Sequence, residues 1–240
     1  MEQTGKKHSQ NCVICLKIGD LYSHEYVNNL YKAIRKQTDE DVVCFTDDSL
    51  GIHPDIHTYD MQPRDCVGWK HLWCKIMMYG RKELVKYKKK IYFDLDLVIH
   101  GDIKPILEHD CDWALIRSKW KGVRFRTQYP HKANFNSSVM VWKDNTWIYE
   151  KWEKDWKNII NKYDGNDDWY AKEYIIPTYL PNIFYSYREG SNPSHYWEGD
   201  RKPYCQYQPD YSVCLFHQKP DVHELDKGDK LYKIWNETIS

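Results

Sequence analysis

The sequence predicts an α/β fold with a mainly parallel central sheet flanked by helices, and three observations support it. Apolar runs of strand length alternate with stretches of helical periodicity through the first hundred residues. Polar and acidic side chains directly follow several of those runs, as they do at the carboxyl edge of a parallel sheet. The chain has 240 residues, 41% of them hydrophobic, so it can bury a sizeable core.

The first half of the chain contains a regular β-α-β pattern. CVICLKI (12–18) is an apolar run of strand length, and residues 24–38 carry apolar side chains at helical spacing. DVVCF (41–45) predicts the next strand, residues 69–80 predict a helix, and IYF (91–93) predicts a third strand. Because helices connect these strands, we expect the strands to be parallel.

The second half is less regular. DWALI (112–116) and SVMVW (138–142) predict strands, whereas residues 146–163 and 168–175 predict helices. Residues 177–209, rich in Tyr, Pro, Asn and Gly, are predicted to be mainly loop. No repeat or linker interrupts the pattern, so a single domain over the whole chain is expected.

Composition excludes some functions. Lys plus Arg and Asp plus Glu both number 35, so the net charge is zero and there is no overall field for nucleic acid or anionic membranes. The one basic cluster, KYKKK (86–90), is interpreted as a solvated helix end, with a phosphate or acceptor contact as the alternative.

Localisation is predicted to be cytoplasmic. MEQTGKKHSQ lacks the apolar core of a signal peptide, and no run of about 18 apolar residues predicts a membrane span. The eight cysteines lie mostly in apolar segments, which favours free thiols over disulfides.

Asp94 and Asp96 stand within the apolar run IYFDLDLVI, where an unpaired carboxylate is costly. Their spacing of two places both carboxylates on one side of an extended chain. Two like charges this close are stable mainly around a cation, and oxygen ligands suit Mg²⁺ or Mn²⁺. Hydrogen bonding to loop amides at the rim of the fold is the alternative.

These residues resemble a known family. FDLDLVIHGDI (93–103) resembles the DxD segment of GT-A glycosyltransferases, especially glycosyltransferase family 8, the glycogenin and lipopolysaccharide galactosyltransferase type. Further stretches that resemble parts of this family are CLKIGDLYSHEYVNNL, CFTDDSLGI, GWKHLWCKIMMYG, NFNSSVMVW and CLFHQKP. The resemblance implies a Rossmann-like GT-A sheet in one domain over residues 1–240. Residues 1–100 would form the nucleotide-binding half and residues 101–240 the sugar and acceptor half.

The resemblance also implies a metal site. Asp94 would contact the ribose or the metal, Asp96 and His217 would bind the metal, and Lys219 would contact the diphosphate. Imidazole is a good ligand for Mn²⁺, and a lysine offers phosphate a point charge. Taken alone, His217 would be a histidine at the rim of the core.

Other donor contacts follow from the same resemblance. Tyr22 and Asp47 would hold the base and ribose, with Thr46 beside them, and Lys75 would lie near the diphosphate. Thr46 and Asp48 are equally interpretable as turn residues. Lys75 is equally interpretable as a surface charge on its helix.

Two segments are expected to face the donor sugar. Asn136 begins a polar cluster before a strand, as in the sugar pocket of the family. GNDDWY (165–170) resembles the family's GDQ segment but has no Gln, so either Asp167 or Asp168 would bind the sugar. The C-terminal motif is also shortened, with Gln218 where glycine is usual.

The expected function is therefore metal-dependent transfer of a sugar, with retention, from a UDP-linked donor to a hydroxyl of a glycan, a lipid-linked sugar or a protein. The expected cofactor is Mn²⁺ or Mg²⁺. One alternative is a haloacid dehalogenase-like phosphatase that uses Asp94 and Asp96. The other is a catalytically inactive protein of the same fold that binds nucleotides or sugars.

Overall fold

The computed structural model describes residues 9–62, 73–120, 134–173, 175, 177–191, 207–217 and 219–237. The strands within these ranges are β1 (Asn11–Lys17), β2 (Asp41–Thr46), β3 (His57–Asp60), β4 (Lys89–Phe93), β5 (Leu97–Ile99), β6 (Trp113–Arg117), β7 (Phe135–Trp142), β8 (Thr178–Tyr179), β9 (Phe184–Ser186) and β10 (Val213–Leu215). The α-helices are α1 (His24–Arg35), α2 (Cys74–Met77), α3 (Lys104–Leu107), α4 (Thr146–Lys162), α5 (Asn166–Lys172) and α6 (Lys230–Asn236).

The main sheet confirms the predicted α/β class. Its seven strands lie in the order β3-β2-β1-β4-β7-β6-β8. Strands β3, β2, β1 and β4 pair in parallel, while β7 is antiparallel to both of its neighbours, β4 and β6. The carboxyl ends of β1, β2 and β4 therefore meet at one edge, where polar side chains follow them.

A second sheet of three strands, in the order β5-β10-β9, borders that edge. Strand β10 runs antiparallel to β5, with Leu215 opposite Leu97. Only Asp94, Leu95 and Asp96 separate β4 from β5. The aspartates therefore lie where the chain passes from the large sheet to the small one.

The core occupies both faces of the main sheet. Val13 and Cys15 of β1 pack in a cluster that includes the apolar side of α1, whereas Cys12 and Ile14 pack in a second cluster on the opposite face. This alternation follows from the two-residue period of a strand. Within the described part of the chain, the cysteines are buried and free, as expected: Cys12, Cys15, Cys44, Cys74, Cys111 and Cys214.

The structure corrects three expectations. Strand β3 was not predicted, and the stretch predicted as mainly loop contains β8 and β9. Lys89 and Lys90 begin β4, so the interpretation of KYKKK as a helix end was wrong for these two residues. Lys90 is 9% exposed, and its Nζ donates to the backbone carbonyl of Lys143 at 2.6 Å.

The predicted helix over residues 69–80 is irregular where the structure describes it, over residues 73–80. Residues 69–72 lie outside the described residues, and α2 is followed by a 3₁₀ turn at Met78–Gly80. Among the described residues, none of the helices combines the length and the hydropathy needed to cross a lipid bilayer.

Candidate active site

Backbone hydrogen bonds fix Asp94 and Asp96 between two strands. The Asp94 N–H donates to the carbonyl of Ser138 in β7 at 2.7 Å. The Phe216 N–H, just past β10, donates to the carbonyl of Asp96 at 2.9 Å. The two carboxylates are therefore placed by regular strand pairing on both sides, not by a free loop.

The carboxylate of Asp94 is compensated within the protein. Lys75 Nζ of α2 lies 2.7 Å from both carboxylate oxygens, and the side chains of Lys75 and Asp94 are only 11% and 16% exposed. The hydroxyl of Tyr92 donates to Oδ1 of Asp94 at 2.5 Å. Tyr92 and Asp94 are two residues apart, which places them on the same side of the strand.

Asp96 has a different environment. Burial, followed by the negative charge of Asp94, raises the pKa of the Asp96 carboxyl to about 8, although Lys75 opposes the shift. At neutral pH, Asp96 therefore mainly retains its proton. Lys75 neutralises the Asp94 carboxylate, and a proton neutralises the Asp96 carboxylate. A divalent cation bound at Asp96 would displace that proton.

A third carboxylate, Asp221, lies close to this pair and was missed by sequence reasoning. Its charge contributes to the raised pKa of both Asp96 and Tyr22. Asp221 is only 7% exposed, and its Oδ2 lies 2.5 Å from the Nζ of Lys219. Its position directly after Lys219 and Pro220 is the one feature of the sequence that pointed to it.

Lys219 lies between two carboxylates at the edge of this acidic group. Besides Asp221, its ammonium contacts Oε1 of Glu224 at 2.7 Å, and the lysine side chain is 68% exposed. The hydrogen bonds to Asp221 and Glu224 raise the pKa of the Lys219 ammonium. Lys219, expected to contact a diphosphate, is therefore held as a cation by two acidic side chains.

The segment that follows Lys219 contains a further group of polar side chains. Ligand atoms of Asp221, His223 and Glu224 lie within 4.8 Å of one another. The Nδ1 of His223 lies 2.6 Å from the hydroxyl of Tyr26 in α1. Because the single ammonium of Lys219 pairs with both carboxylates of this group, half of the group's negative charge is balanced without a metal.

His217 is positioned by the small sheet. It follows Phe216, whose backbone pairs with Asp96, so its backbone runs beside the aspartates. Its ring centroid lies 5.3 Å from that of Trp120, at an interplanar angle of 33°. The backbone of His217, the predicted histidine ligand, therefore lies close to that of Asp96, a predicted aspartate ligand. The next residue, Gln218, lies outside the described residues.

Tyr22 lies near the acidic group. Its ring packs against Tyr26 with centroids 4.8 Å apart. Burial, and then the charges of Asp96, Asp221 and Asp94, raise the pKa of the Tyr22 hydroxyl. Tyr22 lies at the end of the first βα connection. The effects on its pKa show that it is close enough to the three carboxylates for their charges to act on its hydroxyl.

Thr46 and Asp47 form local contacts at the end of β2. The Thr46 hydroxyl donates to the carbonyl of Asp48 at 2.8 Å and accepts the Asp48 N–H at 3.1 Å, which is a turn arrangement. Oδ2 of Asp47 accepts the N–H of Gly19 at 2.9 Å and so joins the ends of β1 and β2. The other oxygen, Oδ1, is buried and has no hydrogen bond within the described residues.

The polar start of β7 contacts the start of α5. Asn166 Nδ2 donates to Oγ of Ser137 at 2.9 Å, and both residues are buried. Asn136 Oδ1 accepts the N–H of Ser138 at 2.9 Å. Because the Ser138 carbonyl also accepts the Asp94 N–H, this polar cluster lies directly beside the aspartate segment.

Asp167 and Asp168 lie in the first turn of α5, immediately after Asn166, and both are half-buried. Burial, and more weakly the charge of Asp167, raise the pKa of the Tyr170 hydroxyl. The Asn166–Ser137 hydrogen bond therefore brings the start of α5, which carries the acidic pair, to the polar start of β7.

Solved structures with a similar fold include glycosyltransferases. The galactosyltransferase LgtC, solved with donor and acceptor sugar analogues, matches with a TM-score of 0.58 and 14% identity over 95% of this chain and 97% of that chain. GlyE of Streptococcus pneumoniae matches with a TM-score of 0.59 and 13% identity over 95% of this chain and 59% of its own. The bifunctional enzyme WbbM gives a TM-score of 0.61 and 12% identity over 98% of this chain and 50% of its own.

No family model matches the sequence, and no curated protein matches it. At these low identities the structural matches establish the fold, which is the predicted GT-A fold. The chain spans almost all of LgtC but only about half of GlyE and WbbM.

Proposed function

We infer that the chain is a metal-dependent glycosyltransferase that moves a sugar, with retention, from a UDP-linked donor to a hydroxyl acceptor. The observation that carries this inference is the aspartate pair at the carboxyl end of β4 in a GT-A sheet. One carboxylate of that pair is so poorly solvated that it holds a proton near neutral pH. A site of this kind is built to receive positive charge.

Asp94, Asp96 and His217 would hold Mn²⁺ or Mg²⁺. The residues fit such an ion chemically, since two carboxylates and an imidazole are suitable ligands and the desolvated Asp96 gains a counter-charge. When bound, the ion supplies positive charge to the departing diphosphate. Asp94 would be shared between the ion and Lys75, which already contacts both of its oxygens.

Two lysines would contact the diphosphate. Lys75 lies against Asp94, and Lys219 is exposed at the edge of the same acidic group. A diphosphate oxygen would take over Lys219 from Asp221 and Glu224, because phosphate carries more charge than either carboxylate. Negative charge develops on the departing diphosphate during the transfer. Electrostatic stabilisation at this position therefore has the largest effect on the reaction rate.

The remaining roles follow the two halves of the chain. In the first half, Tyr22, Thr46 and Asp47 would hold the base and ribose. In the second half, Asn136 and either Asp167 or Asp168 would contact the donor sugar. The acceptor would be a hydroxyl of a glycan, a lipid-linked sugar or a protein, and the reaction would take place in the cytoplasm.

The test is release of UDP from a panel of UDP-sugars in the presence of Mn²⁺. We expect release by the wild type and a loss of more than about 100-fold in Asp96→Asn, because a metal ligand is removed. The matched control is Asp210→Asn, which makes the same change at an exposed position. Hydrolysis of a generic phosphate ester, without UDP release from any donor, would instead favour the phosphatase alternative.

A further inference from the structure

A cleft of about 780 Å³ lies at the opposite end of β4 from the aspartates. It is bordered by the amino ends of β1 and β4, by the 3₁₀ segments at Met78–Gly80 and Lys82–Leu84, and by the start of α4. Lys90 in its wall is four residues before Asp94, which corresponds to about 13 Å along a strand. The cleft is therefore separate from the candidate active site.

Two buried polar groups of this cleft, Asn145 and Lys90, are incompletely paired within the described residues. Asn145 is 5% exposed, and its Nδ2 has no hydrogen-bond partner within the described ranges. It precedes the first turn of α4, but its side chain does not cap the helix. A buried amide donor without an acceptor is costly, so a ligand oxygen at this position would relieve that cost.

Lys90 is the second group. Its ammonium donates to the carbonyl of Lys143 at 2.6 Å, and it has no ion pair within the described part of the chain. Burial lowers the pKa of the Lys90 ammonium, and the weaker opposing effects of Cys12 and Asp144 do not cancel this shift. An anion in the cleft would supply a counter-charge.

The wall of the cleft is positively charged overall. Its cationic residues are Arg81, Lys88, Lys89, Lys90 and Lys143, and its acidic residues are Glu108, Asp110 and Asp144. Lys143 is already paired with Asp110 at 2.7 Å. Lys88 is exposed and has no side-chain partner among the residues that the structure describes, so it remains available to a ligand.

We propose that this cleft binds a small organic molecule that carries a phosphate or carboxylate group, with the anionic group held by Lys88, Lys90 and the Asn145 amide. The volume is far larger than a free phosphate requires and lies in the range of small-molecule sites. Leu84 and the exposed Val85 offer an apolar wall for the body of the ligand. This site acts independently of the proposed transferase site.

The test is calorimetric titration with glucose 1-phosphate, glucuronate and inorganic phosphate, in EDTA so that no metal-dependent site contributes. We expect the wild type to bind glucose 1-phosphate or glucuronate, and Lys88→Glu to weaken this binding at least tenfold. Lys154→Glu makes the same charge change on an exposed part of α4 and is expected to leave it unchanged. Lys90→Met is a second variant, which removes the buried ammonium with little change of shape and should also weaken binding.

The Asp96→Ala variant tests whether the probes bind in this cleft or at the candidate active site. We expect it to bind the probes as the wild type does. Equal affinity for inorganic phosphate and glucose 1-phosphate would mean that the phosphate alone is recognised, which overturns the proposal of an organic ligand. Absence of binding by every probe, or binding that depends on Asp96 and not on Lys88, would overturn the proposal as a whole.

Discussion

The two ends of β4 differ in the sign of their buried charges and in how these charges are compensated. At the carboxyl end, three carboxylates gather and are compensated from within: Lys75 and Tyr92 contact Asp94, a proton occupies Asp96, and Lys219 pairs with Asp221. At the amino end, the buried ammonium of Lys90 donates to a backbone carbonyl and, among the described residues, forms no ion pair. The comparison teaches that the charges at the carboxyl end have partners within the protein, whereas the buried ammonium at the amino end forms no ion pair within the described residues.

Removing the matched cation should have the largest effect on stability. We expect Lys75→Met to lower the free energy of unfolding by about 3 kcal/mol, because it leaves the largely buried Asp94 carboxylate without its counter-charge. Urea unfolding measures this difference. The control is Lys82→Met at an exposed position, and equal stability of the two variants would contradict the account.

Tyr92→Phe removes the second partner of Asp94. A hydrogen bond to a charged group at a buried position is worth about 2 kcal/mol, and Tyr92 is 2% exposed. We expect a loss of that size in chemical unfolding. Tyr59→Phe, on the half-buried side chain of β3, serves as the matched control and should change stability by much less.

Asp96→Asn tests whether the Asp96 carboxyl is protonated in the folded protein. Because the folded-state pKa is raised to about 8, the contribution of Asp96 to stability is present at low pH and is lost as the pH rises toward 8. We expect the metal-free wild type to lose at least about 1 kcal/mol relative to Asp96→Asn between pH 5 and pH 8. Melting curves across this range give the answer, and a constant difference would show that Asp96 is already ionised at pH 5.

Lys90→Met should have the smallest effect on the free energy of unfolding. It compares the amino end of β4 directly with the carboxyl end. An ammonium without an ion pair gains little from burial, so its replacement by an apolar side chain of similar size should change stability by less than about 1 kcal/mol. The same unfolding experiment measures it beside Lys75→Met. A loss as large as that of Lys75→Met would mean that the two ends of β4 do not differ as described.

The regular part of the fold was predictable from the sequence. Strands β1, β2 and β4 and helix α1 carry clear periodicity, and their predicted bounds lie within a few residues of the observed ones. Strand β3 was missed because its side chains are mainly exposed, and the pairing of β5, β10 and β9 because these strands have three residues each. Such short strands are stabilised by distant partners, which periodicity does not reveal.

The candidate site was predictable in its residues but not in its contacts. The aspartate pair was evident from its place in an apolar run, and Tyr92 could have been added from the two-residue period. The contact between Lys75 and Asp94 depends on how α2 packs on the sheet, which no local pattern specifies. The role of Asp221 depends in the same way on the path of the chain after β10.

The most direct test of the central claim is thermal unfolding with UDP, with and without Mn²⁺, on the wild type and Asp96→Asn. A ligand at a hundred times its dissociation constant stabilises the folded state by about 2.7 kcal/mol. We predict that UDP and Mn²⁺ together raise the melting temperature of the wild type and leave that of Asp96→Asn unchanged. An equal shift in both proteins, or none in either, would contradict a metal–nucleotide site at the end of β4.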